Sequence, residues 1–309
     1  MGSGRARMRA VRAFFAWFVA TALLAAPSAQ VRSAAEPAPS REELRALLFQ
    51  VIANQHRNDE ALLEYERTER HRSFRGSSEK SALKEDKTYR VFPTGTGTIR
   101  VLLRDGDRSI SPEQIRQQLE GVLRELERAQ NPNSDVQRPK VERFEKRRRE
   151  RHQTVEATRE AFLVRWLGRE QRNGRTLATV LLEPNPDFRP PSRIAAAFQS
   201  VRAVVWIDEQ SAQLVRAEAE IFKDISFGGG ILGKLYRGGT FVIEQREVAP
   251  GLWLPARYEF DYRGRKFLFG FSVHEQIEFS DYRRLGPPAE ALVVLRRELA
   301  AQRPAGVAQ

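Results

Sequence analysis

The run Gly228-Gly229-Gly230-Ile231-Leu232-Gly233-Lys234-Leu235 has glycines and a lysine at the spacing of a phosphate-binding loop. That chemistry needs backbone amides around the phosphates, a Ser or Thr after the lysine to hold magnesium, and a helix N-terminus facing the anion. Leu235 stands in the metal-ligand position and strand-like sequence follows, so the segment reads as a flexible inter-strand connection. Asp105, Asp107, Ser109 and Ser111 alternate like the oxygen ligands of a calcium loop. Ile110 replaces the glycine on which such a loop turns, and Arg116 replaces its bidentate glutamate, so this is a turn entering a helix. The histidines, His56, His71, His152 and His274, lack metal-ligand spacing such as HExxH. There is no cysteine, hence no thiol nucleophile, no disulfide and no acceptor for a lipoprotein tether. No GxSxG elbow occurs. No catalytic residue, metal ligand or cofactor is indicated, and the chain is expected not to be an enzyme. The one enzymatic route left open is convergence of acids from distant strands.

The formal charge of +12 is concentrated locally. Residues 138–151 hold eight basic and three acidic side chains. Within them Arg147, Arg148 and Arg149 form either a solvated face or a contact for an anionic membrane surface or an acidic partner. Phe144 is the only aromatic of the run, so base stacking and nucleic-acid binding are not indicated.

The first residues read as an address. Arg5, Arg7, Arg9 and Arg12 precede fourteen uncharged residues, Ala13 to Ala26, and small residues follow to Ala35. This order matches a secretory signal over residues 1–29, cleaved between 26 and 35, and implies a soluble periplasmic protein. The apolar run falls short of the roughly 20 residues of a permanent membrane span, the alternative being an uncleaved anchor. Removal of residues 1–29, with four arginines and no acid, would lower the charge to +8.

Ser40-Arg41-Glu42-Glu43 is a capping box, and Leu44, Leu48 and Ile52 lie on one stripe of a helix expected over 41–57. Ser111-Pro112-Glu113-Gln114 opens a second helix with Ile115, Leu119 and Val122 on one side. Residues 131–156 are charged and poor in apolar side chains, and are expected to be exposed and mobile, in part helical. Residues 286–309 read as a loose Pro/Ala-rich tail. Between them the chain reads as one antiparallel β-domain over 40–285, with a hairpin at Asn173-Gly174. In the last strands Leu254, Ala256, Tyr258 and Phe260 alternate with polar residues, Arg263-Gly264 is expected to turn, and Phe267, Phe269 and Phe271 repeat the pattern. A sheet with one apolar and one wet face follows.

Val205-Trp206-Ile207-Asp208 with Leu214-Val215-Arg216 resembles a strand pair of outer-membrane lipoprotein-sorting proteins. Pro250-Gly251-Leu252-Trp253-Leu254-Pro255 is similar to their hairpin entry, and the helix before Leu62-Leu63-Glu64-Tyr65 is similar to theirs. The resemblance spans roughly 41–110 and 160–285, and the basic segment and glycine loop depart from it. It implies a mostly β (α+β), LolA-like half-barrel: a strongly curved antiparallel sheet with helices covering its concave face. It also implies a periplasmic carrier holding lipid or lipoprotein acyl chains, or an envelope interaction or stress-sensing module on the same scaffold. Leu44, Leu48, Ile52, Ile115, Leu119, Val122, Leu254, Ala256, Tyr258, Phe260, Phe267, Phe269 and Phe271 are the expected cavity lining.

Overall fold

The computed structural model describes residues 38–75, 82–227 and 232–301. The expected signal segment, the start of the glycine loop and residues 302–309 lie outside the described residues. The fold is mostly β, its strands pair mostly antiparallel, and the sheet is not closed into a barrel. The chain divides into two compact units.

The first unit takes in residues to His56 and Gln153–Glu275. Helix α1, Arg41–Leu62, begins here. Its capping box is formed: the Glu43 amide donates to Ser40 Oγ at 3.2 Å and the Ser40 amide to Glu43 Oε2 at 2.6 Å. Strands β5 (Phe162–Arg172), β6 (Arg175–Pro184), β7 (Val201–Asp208), β8 (Gln213–Ile221), β11 (Thr240–Ala249) and β12 (Leu252–Lys266) are hydrogen-bonded neighbours in that order. Strand β13, Phe269–Arg284, follows β12. Asn173 and Gly174 both adopt positive φ (52° and 75°), the two-residue turn their types favour. In edge strand β5 the pairing skips Leu167, between Trp166 opposite Val180 and Gly168 opposite Thr179.

Two cross-strand rows run through this sheet. One is Leu182, Ala203, Ala219, Phe241 and Phe260; the next is Val180, Val205, Ala217, Ile243 and Tyr258. Alanines in the middle strands leave room for the rings of the outer ones, which is how close packing is reached. The alternate face carries Val204, Glu218, Val242 and Glu259, a half-exposed and more polar row. One face is therefore packed and the other wet, as the alternation required.

Two local expectations are corrected. The alternation holds from Tyr258 to Tyr262 but breaks at Ala256, because Arg257 pairs with Glu244 while Pro255 pairs with Gln245, leaving Ala256 as an extra residue. A proline without an amide is accommodated at such a bulge. Arg263-Gly264 does not turn: β12 continues to Lys266 and the turn is Phe267-Leu268. Gly264 is needed because β10 (Gly233–Leu235) passes beside it, so a Cβ there would lie 2.5 Å from the Lys234 carbonyl oxygen. The glycine loop is thus in part a short hairpin, β9 (Ile225–Phe227) with β10.

The second unit holds Arg57–Arg75, Ser81–His152 and residues from Gln276. Strands β4 (Arg108–Ser109), β3 (Thr98–Asp105), β2 (Ala82–Pro93) and β1 (Tyr65–Arg75) follow one another, with β13 beside β1. Helix α2, Pro112–Ala129, is capped by Ser111 and Gln114 as expected. The residues after Gly286 are not a loose tail as far as Ala301: Pro288–Ala301 is helix α4. Its Leu292 and Leu295 join Leu119, Val122 and Leu126 of α2 and Phe92 and Val101 of the strands in one core. Leu292, Leu295 and Leu299 with Val294 supply the apolar face that its Pro/Ala content concealed.

Helix α3, Arg138–Ala161, occupies most of the charged segment. It has no apolar stripe to announce it. Its Arg, Glu, Lys and Gln are strong helix formers, and Arg148 and Arg151 pair with Glu60 and Asp59 of α1 at 2.6 and 2.7 Å.

Candidate functional site

The strand-pair and hairpin-entry residues of the resemblance lie in the first unit, and residues 62–65 lie in the second. Asp208, almost fully buried, ends β7 and accepts from the Gln210 amide at 3.0 Å, which forms the β7–β8 turn. Its other oxygen accepts from Arg175 Nη1 at 2.5 Å, and Arg175 also reaches Glu247 at 2.5 Å. The Arg175 guanidinium lies 5.0 Å from the Trp253 ring centroid. On β8, Arg216 pairs with Glu218 at 2.5 Å and with Glu244, and stands 5.9 Å from the Trp206 centroid. Arg175, Arg216, Glu244, Glu247 and Trp253, with Leu177, Val215 and Ala256, line a cleft of about 270 Å³. The hydrogen bond to Asp208 raises the Arg175 pKa above its ordinary value. Both guanidiniums are taken up by carboxylates, so the cleft is a brace between strands and not an anion receptor. Its volume is below the roughly 300 Å³ at which ligand pockets begin. Arg175 carried no motif that sequence reading could have caught.

The packed face, on the reverse of the strands that carry this brace, is aromatic. Phe241 meets Phe260 at 6.1 Å and Tyr262 at 5.5 Å between ring centroids, and Tyr258 meets Phe260 at 6.1 Å. Tyr262 in turn meets Phe271 of β13 at 6.3 Å, edge to face. Phe269 precedes Phe271 by two residues on the same strand, and so points to the same side of it. Phe241, Phe260 and Tyr262 are buried, Phe271 and Tyr258 are half-buried, and Phe267 and Phe269 are 50% and 79% exposed. The ring contacts run as one series from Phe260 in the core to Phe271, two residues along β13 from the exposed Phe269.

Helix α1 lies over the face that bears the two rows. Asn54 Nδ2 donates to the carbonyls of Ser211 and Ala212 at 2.9 and 2.7 Å, and Gln245 Nε2 donates to Gln55 Oε1 at 2.9 Å. Gln245 is two residues beyond Ile243 on β11, hence on the same face. Leu44 and Ile52 of the α1 stripe are buried and Leu48 is half-buried.

The remaining sequence-chosen residues are placed differently. Ile115, Leu119 and Val122 pack in the second unit's own core with α4, β2 and β3. Leu254 is fully buried opposite Arg246, and Ala256 lines the arginine cleft. Arg147 and Arg149 are exposed on α3, while Arg148 is held by Glu60.

One buried charge in the second unit escaped sequence reading. Glu69 on β1 is 1% exposed, and receives Arg67 at 2.6 Å, His71 at 2.8 Å and Arg100 at 2.8 Å. Burial opposes its ionisation, but the His71 hydrogen bond and the charges of Arg67 and Arg100 outweigh it and hold the carboxyl far below the usual range. With its acceptors occupied by three donors, it is a structural anchor of the β1–β2–β3 sheet.

No protein-family description matches the chain, and no curated protein matches it. Solved structures similar to it include a DUF1329 family protein from Desulfovibrio piger, 13% identical, covering 78% of this chain and 92% of that one with a TM-score of 0.26. An outer membrane lipoprotein-sorting protein domain from Vibrio parahaemolyticus is 10% identical, with 81% and 100% coverage and a TM-score of 0.30. A LolA superfamily protein from Nitrosomonas europaea is 10% identical, with 82% and 98% coverage and a TM-score of 0.26. Among the described residues no helix is long and apolar enough to cross a membrane.

Proposed function

We propose that the chain is an exported, non-enzymatic carrier that holds lipid or lipoprotein acyl chains against the aromatic face of its first unit in the periplasm. The observation that supports this reading is the unbroken series Phe260, Phe241, Tyr262 and Phe271, which starts in the core and ends beside an exposed hairpin tip. An acyl chain entering along it exchanges water for rings, with a gross transfer on the order of 12 kcal/mol for sixteen carbons. Tyr258, Phe260, Phe267, Phe269 and Phe271 are the wall in this reading, and the α1 stripe Leu44, Leu48 and Ile52 is the cover that yields. Ile115, Leu119 and Val122, set among α4, β2 and β3, belong to a second apolar core.

Native mass spectrometry of protein taken from the periplasm tests the proposal, with displacement of a fluorescent fatty acid as the second readout. Co-purified lipid, and an affinity weakened about tenfold in Phe271→Ala at an unchanged melt, are expected. A lipid-free protein that ignores the probe would sink it.

A second reading is favoured by α3. Its exposed Arg147 and Arg149 project from a helix with almost no buried side chains, a surface suited to an acidic envelope partner.

A further inference from the structure

We propose that the tip of the β12–β13 hairpin is a docking element that seats on an anionic lipid bilayer. Phe267, Leu268 and Phe269 are consecutive apolar residues that are 50%, 90% and 79% exposed. Leu232, itself 50% exposed, stands beside them, its carbonyl accepting from the Phe267 amide at 3.4 Å. Contiguous exposed apolar side chains on this scale mark interaction sites.

The backbone adds an independent observation. Of the two turn residues, Phe267 has φ of 53° and Leu268 is not in the left-handed region. That is the pattern of a turn whose first position favours glycine. Folding alone would select a small residue here; a bulky ring is instead held in a strained conformation and shown to solvent.

The charge around the tip identifies the occupant. Residues 263–273 contain Arg263, Arg265 and Lys266 and no acid. On β10, Lys234 stands directly opposite Arg265. Asp224 is committed to Lys234 at 2.7 Å and to the Arg237 amide at 2.8 Å. The tip is a turn and not a groove, so a deformable bilayer fits it better than a shaped protein pocket. Rings and leucine enter at the headgroup–acyl boundary while the cations meet the phosphates.

This inference does not depend on acyl-chain capture, since docking needs only the tip. Sedimentation of the full chain with phosphatidylcholine vesicles, with and without phosphatidylglycerol, tests it. Binding to the anionic vesicles is expected, reduced about tenfold or more in Leu268→Ser/Phe269→Ser. Arg263→Glu/Lys266→Glu should abolish the preference for anionic vesicles. These side chains are exposed, so the melt should stay within error of the wild type. Fatty-acid probe binding in solution separates the two proposals. Absent or unaltered vesicle binding overturns the docking element, even where the probe still binds. Loss of probe binding with intact docking overturns the carrier reading and leaves this one standing. Retention of the tip only by a protein partner, with no vesicle binding, also overturns it.

Discussion

A Cβ added to Gly264 would lie 2.5 Å from the Lys234 carbonyl oxygen and 2.8 Å from the Phe271 ring. Neither neighbour can yield easily, one being backbone and the other part of the aromatic series. Gly264→Ala should therefore push β10 off β12, at a cost of about 1–3 kcal/mol. Thermal melting gives the size. Amide exchange at Tyr236, whose N–H donates to the Arg263 carbonyl at 2.9 Å, should accelerate more than exchange at Phe241. Equal protection at both amides in the variant would contradict the close approach.

Glu69→Gln should be among the most destabilising changes in the second unit. It leaves Arg67, buried like its partner, without the carboxylate that neutralises it, and breaking such a pair costs about 3–5 kcal/mol. Denaturant titration at neutral pH measures this loss.

The same carboxyl gives the unit a pH dependence. Its folded pKa is depressed below the ordinary 4.5, so the unfolded chain takes up the proton first as pH falls. The stabilisation is complete above that value and fades progressively below it. Stability followed downward from pH 5 should fall more steeply in the wild type than in Glu69→Gln, and parallel curves would show that Glu69 is not the group responsible.

Asn54→Leu removes the donor to the Ser211 and Ala212 carbonyls while keeping the volume. A loss of about 1–3 kcal/mol is expected from the carbonyls left without it. If α1 is the cover of the aromatic face, this variant should also take up the fatty-acid probe faster in stopped-flow mixing. A lower melt with unchanged uptake would make α1 part of a fixed core.

Trypsin should cut first within α3, after the arginines between 147 and 151. The ion pairs from Arg148 and Arg151 are exposed, and such pairs are worth about 0–1 kcal/mol each, too little to suppress local opening. Mass analysis of early fragments decides; initial cleavage in β6 to β8 would refute the expectation.

The sequence was legible where one residue type had one physical reason to be present. Ser40 with Glu43 and Ser111 with Gln114 marked helix starts because only capping explains that spacing. Asn173-Gly174 marked a turn because both residues tolerate positive φ. Gly264 misled because glycine has two uses, and close approach by a strand distant in sequence cannot be seen from its neighbours. Ala256 was misplaced because a single bulge reverses parity for everything before it. Helix α3 carries no periodic apolar signal, since its pairing is electrostatic. Arg175 and Glu69 act through partners far apart in the chain, which no local pattern encodes.

The skipped residue in β5 bears on how the chain behaves at high concentration. β5 is an eleven-residue strand at the end of the sheet order, the kind of border onto which another copy can add a strand. The extra residue at Leu167 interrupts that border midway. A second copy approaching in register would meet a kink. The bulge thus works against fibril-like self-addition.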